Sequence, residues 1–366
     1  MSPVRHFAQS YMEARDKFVS AAQACGARQF RHVHPSERGA DGEELSVDFA
    51  FVGKPGASGL LLLLSATHGV EGFCGSGCQV ALLHDDEFLK SVEQAGVEVL
   101  MLHALNPYGF SHLRRVNEDN ADLNRNFVNF RAPLPVNSAY AEIHPLLLPA
   151  TWPPRSGTEA KLGAWIAAKG AKAYQAAVSG GQYQFPDGMF YGGTAPAWSN
   201  LVLRAVLREH AAKRERLGWI DFHTGLGPRG HGEKIYAGVD SAADIARTKS
   251  WWGADVTSFF EGTSTSAPLT GINGAAAHDE CPGASFAGIA LEYGTYSIDQ
   301  VLQAFRAEHW LHNHPDAPLK QRQEIKRHLR DMFYVDADDW KQMVCTQAHD
   351  ACMKAVARLT STHAHA

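Results

Sequence analysis

The stretch LLLLLSATHGVEGFCGSG, Leu60–Gly77, joins an uninterrupted apolar run to a glycine-rich turn carrying one histidine and one glutamate. Five consecutive leucines show no alternation, so the run reads as a strand covered on both faces, as in the interior of a parallel sheet. His68 and Glu71 therefore stand where a buried strand ends. Three residues apart in a tight turn, an imidazole nitrogen and a carboxylate can meet on one metal ion. The plainer reading is a glutamate capping the next helix beside an incidental histidine. The pair alone does not decide between them.

Working outward, SVDFAFVG (46–53) alternates like a half-buried strand, and GCQVALLHDDEFLKSV (77–92) has helical periodicity. VEVLMLHALNP (97–107) is a second buried strand, stopped by Pro107. Strand, helix and strand in that order predict an α/β fold: a mixed, largely parallel twisted sheet with helices on both faces. Six prolines between 132 and 158 exclude one continuous helix there and predict an excursion over the surface near the site. Helical pattern returns at 158–178 and 197–216. GWIDFHTGLG (218–227) and SFAGIALEYGTY (285–296) read as further strands ending in turns. From about residue 299 the chain reads as helices followed by a short disordered tail. With no internal repeat and no linker, residues 1–366 are expected to form one domain.

Bulk properties narrow the function. A chain of 366 residues, 20% charged and 45% hydrophobic, can bury a large core. A net charge of −5 gives no general attraction to nucleic acid or to anionic membrane surfaces. No apolar run is long enough to span a bilayer. The opening MSPVRHFAQSYMEARDKF reads as an amphipathic helix and not a signal peptide, so a cytoplasmic protein is expected. The six cysteines read as reduced, buried small hydrophobes, and Cys74 and Cys78 lack the second close pair that a zinc site would need. Nothing in the sequence speaks to oligomeric state.

Three further segments bear on the HxxE pair. NPYGFSHLRRVNEDNADLNRNF (106–127) concentrates Arg114, Arg115, Asp122, Asn124 and Arg125 in one loop. By composition that is an ion-paired surface. By position it leaves the carboxyl end of a strand, where α/β sheets bind ligands, and guanidinium forks suit a carboxylate or a developing oxyanion. His223 follows an apolar strand in WIDFHTGLG; alone it would be a satisfied core histidine, but with His68 and Glu71 it makes the His/Glu/His set of catalytic zinc. Glu292, in LEYGT, is a carboxylate at another strand end, suited to act as general base toward metal-activated water. His309, His312 and His314 in HWLHNHP read as a solvated helix end, with a second metal site as the sharper alternative; His363 and His365 fall in the tail.

Taken in order, HGVEG, NP…RR…DLNRNF, DFHTG and LEYGT resemble the zinc carboxypeptidase superfamily (M14-like), and within it a DUF2817-type branch near succinylglutamate desuccinylase and aspartoacylase. The motifs span roughly residues 45–300. The resemblance implies one zinc ion held by His68, Glu71 and His223, with Asp122 supporting the first histidine. It implies that Asn124 and Arg125 hold the substrate carboxylate, that Arg115 (or its neighbour Arg114) polarises the scissile carbonyl, and that Glu292 is the general base and acid. The family's substrate-facing tyrosine has no clear counterpart. Tyr191 in PDGMFYGG (186–193) is the candidate, a packing tyrosine being the alternative. The implied activity is zinc-dependent hydrolysis of an amide in a peptide or small-molecule substrate with a free carboxylate, by a carboxypeptidase or a deacylase. A non-catalytic binding member of the same fold is the competing reading, against which Glu292 counts. Ser76 lies in no GxSxG elbow, and the glycines at 69, 72, 75 and 77 fit no nucleotide-binding fingerprint.

Overall fold

The computed structural model describes residues 3–360. Its sheet has seven strands: β1 (Arg28–Arg38), β2 (Glu44–Gly53), β3 (Gly59–Leu64), β4 (Glu98–His103), β5 (Arg216–Arg229), β6 (Gly232–Tyr236) and β7 (Ser285–Gly294). They lie in the order β1-β2-β4-β3-β5-β7-β6. The four central strands, β4, β3, β5 and β7, run parallel, while β1, β2 and β6 join antiparallel at the two sides. The sheet is thus parallel only at its centre.

The leucine run occupies that centre. Leu60 to Leu64 are all 0% exposed, on both faces of β3. Each such side chain contributes about 1.5–3 kcal/mol by leaving water. On one face lie the helices Gly72–Leu83 and Asp338–Leu359. Gly218 makes room there, since a Cβ on it would lie 3.1 Å from Leu61 and Trp251 and 3.3 Å from Leu359. Trp219, the next residue of β5, points the opposite way and meets Phe286, which in turn packs on His278 of the helix Ala275–Glu280. Both faces are covered, which is why β3 tolerates no polar residue.

Several boundaries depart from the sequence reading. The helical pattern at 77–92 divides into Gly72–Leu83 and Asp86–Ala95, the second capped by Asp85, whose side chain accepts from Glu87 and Phe88 N–H. Pro107 does not stop β4, which ends at His103, but starts the short helix Pro107–Ser111 at its first position. The proline-rich stretch holds the helix Ser138–Leu147. The helix predicted over 158–178 is broken at Gly170 into Ser156–Lys169 and Ala171–Ser179. At the N-terminus the helix runs only from Tyr11 to Ala24. His363 and His365 lie outside the described residues. Among the described residues no helix is long and apolar enough to cross a membrane, and all six cysteines are free.

Candidate active site and metal centre

The carboxyl ends of β3, β5 and β7 converge on one cavity, lined by His68, Arg115, Asn124, Arg125, His223 and Glu292 among others. Chain geometry explains how each arrives. After Leu64 the chain makes the tight turn Gly69–Glu71 before the helix Gly72–Leu83. That turn needs glycine: a Cβ on Gly69 would lie 2.0 Å from the carbonyl carbon of Gly109. The arginine loop then braces the turn, with Gly69 N–H donating to Arg115 O at 3.1 Å and Val70 N–H to Arg114 O at 2.8 Å. On the sheet, the parallel register sets His223 of β5 directly beside Glu292 of β7.

Three ligand atoms meet. His68 Nδ1 lies 2.9 Å from Glu71 Oε1, His223 Nδ1 lies 3.0 Å from Glu71 Oε2, and the two Nδ1 atoms are 3.2 Å apart. Among the described residues this is the one group of three or more His, Cys, Asp or Glu side chains gathered as a metal site requires. The geometry fits zinc: ligands at about 2.0–2.1 Å in a tetrahedron stand roughly 3.3 Å from one another. The donor set fits as well, because two imidazole nitrogens facing each other cannot both donate a proton, whereas both can donate a lone pair to a cation.

The outer partners are as specific. His68 Nε2 lies 3.2 Å from Asp122 Oδ1 and 2.8 Å from Arg115 Nη2. Asp122 is itself fixed by donating its N–H to Tyr191 O at 2.8 Å and by accepting from Asn124 N–H at 2.9 Å. His223 Nε2 lies 2.9 Å from Asp221 Oδ2, a charge contact whose angle falls short of a hydrogen bond. Asp221 also accepts from Thr67 Oγ1 at 2.9 Å and from Asn273 Nδ2 at 2.6 Å. Asp221, Thr67 and Asn273 escaped the sequence reading. The signal for Asp221 is present in WIDFHTG, where an aspartate two residues before a strand-end histidine must share its face.

Burial and charge set the electrostatics. Burial alone would push Glu71 upward, but His68, His223 and Arg115 outweigh it and hold the carboxyl well below the usual range. Asp122 is likewise held down, against burial, by Arg115, His68 and Arg125. Burial would lower His223, yet Asp221 and Glu71 keep it well above the ordinary imidazole value. Glu292 behaves differently: burial and then the neighbouring Glu71 charge push it up to about 7. Its Oε1 accepts from Leu226 N–H at 2.9 Å. One carboxylate suited to a cation thus lies close to another that exchanges protons near neutrality.

The two adjacent arginines separate cleanly. Arg115 lines the cavity and pairs with Glu71 at 2.8 Å and Asp122 at 3.0 Å. Arg114 is buried outside the cavity, paired with Glu308 at 2.8 Å and donating to Asn120 at 2.8 Å. Arg125 donates to Ser179 O and Asn124 O, which leaves one hydrogen on each terminal nitrogen. Asn124 lines the cavity and accepts from Asn273 N–H at 3.0 Å. Tyr191 is the correction. It is buried and does not line the cavity, whereas the preceding Phe190 does. Phe190 has a φ of 52°, in the left-handed region, so the local chain departs from a simple extended run and the neighbouring ring faces the site.

Of the C-terminal histidines only His309 is buried; His312 is exposed and His314 half-buried at the helix end, as a solvated end requires. His309 is 0% exposed inside the helix Ile298–Asn313, its ring nitrogens without a hydrogen bond and Nδ1 3.7 Å from Glu308 Oε2, and burial pushes it down to about 3. His314 stacks on Trp310. These histidines do not gather as ligands.

The whole-chain architecture has solved counterparts. A crystal structure of thrombin-activatable fibrinolysis inhibitor aligns over 96% of this chain and 77% of its own, with a TM-score of 0.53 and 12% identity. The bovine form of that protein, in complex with a tick carboxypeptidase inhibitor, aligns over 97% and 98% (TM-score 0.47, 10% identity). A metallo-carboxypeptidase from Burkholderia cenocepacia aligns over 91% and 68% (TM-score 0.38, 13% identity). The first of these shows the shared α/β fold. No curated protein sequence matches the chain. A sequence profile does match, over residues 7–347, which takes in the HxxE turn, the arginine loop, His223 and Glu292: the chain belongs to the DUF2817 family, described as proteins of unknown function.

Proposed function

We propose that this protein is a zinc-dependent hydrolase that cleaves an amide bond next to a free carboxylate. The observation that carries the reading is the meeting of His68 Nδ1, Glu71 and His223 Nδ1 within 2.9–3.2 Å of one another, in the same cavity as Glu292. His68, Glu71 and His223 would hold the ion. When bound, zinc supplies Lewis acidity that polarises a carbonyl and acidifies water.

The remaining steps fall to the chain. Arg125 and Asn124 bind the substrate carboxylate, the arginine through its uncommitted terminal hydrogens. Arg115 holds Glu71 and Asp122 in place and retains one hydrogen on each terminal nitrogen for the oxygen of the scissile carbonyl. Asp122 and Asp221 orient the two histidines from their far nitrogens. Glu292 accepts a proton from the attacking water as its oxygen bonds to the carbonyl carbon. The same carboxyl returns that proton to the leaving nitrogen as the C–N bond breaks.

Glu292→Gln tests the reading. The variant should keep one zinc per chain and lose turnover by at least about 100-fold, the usual lower bound for removing a positioned general base. Wild-type rates in a zinc-loaded Glu292→Gln protein would refute the assignment.

A further inference from the structure

The cavity has a second property that the catalytic groups do not explain. Its charged side chains, His68, Arg115, Arg125, Asp221, His223 and Glu292, are all committed to the metal centre or the carboxylate anchor, and the rest of the lining is neutral. On the β3 side, where Arg115 packs over Phe190 and Phe305, the wall is one face of the helix Ile298–Asn313. Ile298, Val301, Leu302 and Phe305 recur there at helical spacing. Phe190 and Phe305 meet edge to face, centroids 5.1 Å apart. On the β6 and β7 side Ile235, Ala237, Phe259, Leu269 and Ile272 dominate the wall, with Tyr236 and Ser266 as its neutral polar members. Phe190 and Phe305 belong to one buried apolar cluster and Ala237 to another. Two apolar walls therefore flank the cavity, with His223 and Glu292 on the floor between them.

Neither wall has a charge to spare. Asp221 is taken up by Thr67, Asn273 and His223, so no uncommitted carboxylate awaits a lysine- or arginine-like group. No cation beyond Arg115 and Arg125 faces an acidic one. Burying an unpaired side-chain charge against such a lining costs several kcal/mol. We infer that the substrate carries apolar groups on both sides of its scissile amide, an apolar acyl group joined through nitrogen to an amino acid with an apolar side chain and a free carboxylate. N-acyl amino acids and short apolar peptides share this chemistry. The inference rests on the proposed hydrolase reading for the position of the amide.

Binding and turnover separate the two ideas. Zinc-loaded Glu292→Gln protein is titrated calorimetrically with N-benzoyl-phenylalanine, leucyl-phenylalanine, N-acetyl-phenylalanine, N-acetyl-aspartate and N-benzoyl-lysine, and wild-type turnover of each is measured. The doubly apolar ligands should bind at least about 100-fold more tightly than the aspartate and lysine compounds, and N-acetyl-phenylalanine should fall between. Leucyl-phenylalanine against N-benzoyl-phenylalanine then distinguishes the peptide from the acyl amino acid. Phe305→Ala and Ile272→Ala, with zinc content unchanged, should each weaken the doubly apolar ligands by about 10-fold or more, one through the acyl group and the other through the side chain. Equal or tighter binding of the aspartate or lysine compounds, or indifference to both wall substitutions, overturns the inference. Tight apolar binding with no turnover of any amide by wild type keeps it and sinks the hydrolase reading instead.

Discussion

Asp221→Asn isolates a single charge behind the metal centre. The native carboxylate accepts from Thr67 Oγ1 on both oxygens at 2.9 Å and from Asn273 Nδ2 at 2.6 Å, and it stands 2.9 Å from His223 Nε2. An asparagine can place its carbonyl oxygen where Oδ2 stands and turn its amide toward Thr67, whose hydroxyl can rotate to accept. Shape and most hydrogen bonds survive, and the negative charge is lost. That charge counters burial in keeping His223 well above the ordinary imidazole value. For a histidine that holds a metal through Nδ1, a carboxylate at the far nitrogen fixes the ring and raises its basicity, and losing such a partner weakens metal binding by about 10- to 100-fold. That is about 1.4–2.7 kcal/mol. The assay is a zinc competition titration against a chromogenic chelator, run beside urea unfolding of the metal-free proteins. Zinc affinity should fall by that factor, with a loss of at most about 1–2 kcal/mol in the metal-free stability. Asp221→Ala should cost more stability, because it leaves two buried donors unpaired at about 1–3 kcal/mol each. A folded Asp221→Asn protein with wild-type zinc affinity would refute the role assigned to this residue.

Other substitutions test other parts of the molecule. Glu308→Gln leaves buried Arg114 and its neighbour Lys326 without their shared counter-charge, and should cost about 3–5 kcal/mol by urea denaturation. Burial would raise Glu308, but Arg114 and Lys326 hold it well below the usual carboxylate range. Its contribution is therefore full above the unfolded value of about 4.3 and is lost as pH falls toward the folded one, so the gap between wild type and variant should narrow in acid; a gap constant from pH 7 to pH 3 would contradict this. Gly69→Ala, with its added carbon 2.0 Å from Gly109, should displace the HxxE turn and abolish stoichiometric zinc binding, and retained zinc would show the turn to be softer than its packing indicates. Arg125→Ala should raise KM for substrates with a free carboxylate and leave carboxamide analogues largely unaffected; equal effects on both would remove the carboxylate from its role.

Much of this architecture is written in local sequence. A leucine run with no alternation reads as a doubly covered strand, and Leu60–Leu64 are buried throughout. Histidine and glutamate at strand ends marked the site because strand order and register do the rest, setting His223 beside Glu292. What was illegible depended on direction more than on composition. Arg28–Arg38 is polar and mostly exposed, so β1, lying at the sheet's edge, gave no apolar pattern to read. Neighbouring residues often point different ways, and no spacing rule says which of Phe190 and Tyr191 turns toward the cavity. Asp221 was overlooked although its position two residues before His223 put it on the same face of β5. His309 looked solvated beside Pro315, yet the helix that carries it packs that face inward.

The central claim is that His68, Glu71 and His223 together hold one zinc ion. The most direct measurement is metal content by mass spectrometry on wild type and His223→Ala, both trimmed of residues 361–366 so that the tail histidines add nothing. The account predicts close to one zinc per wild-type chain and a loss of most of it in the variant. Zinc retained equally by both proteins, or absent from wild type after zinc is supplied, would contradict it.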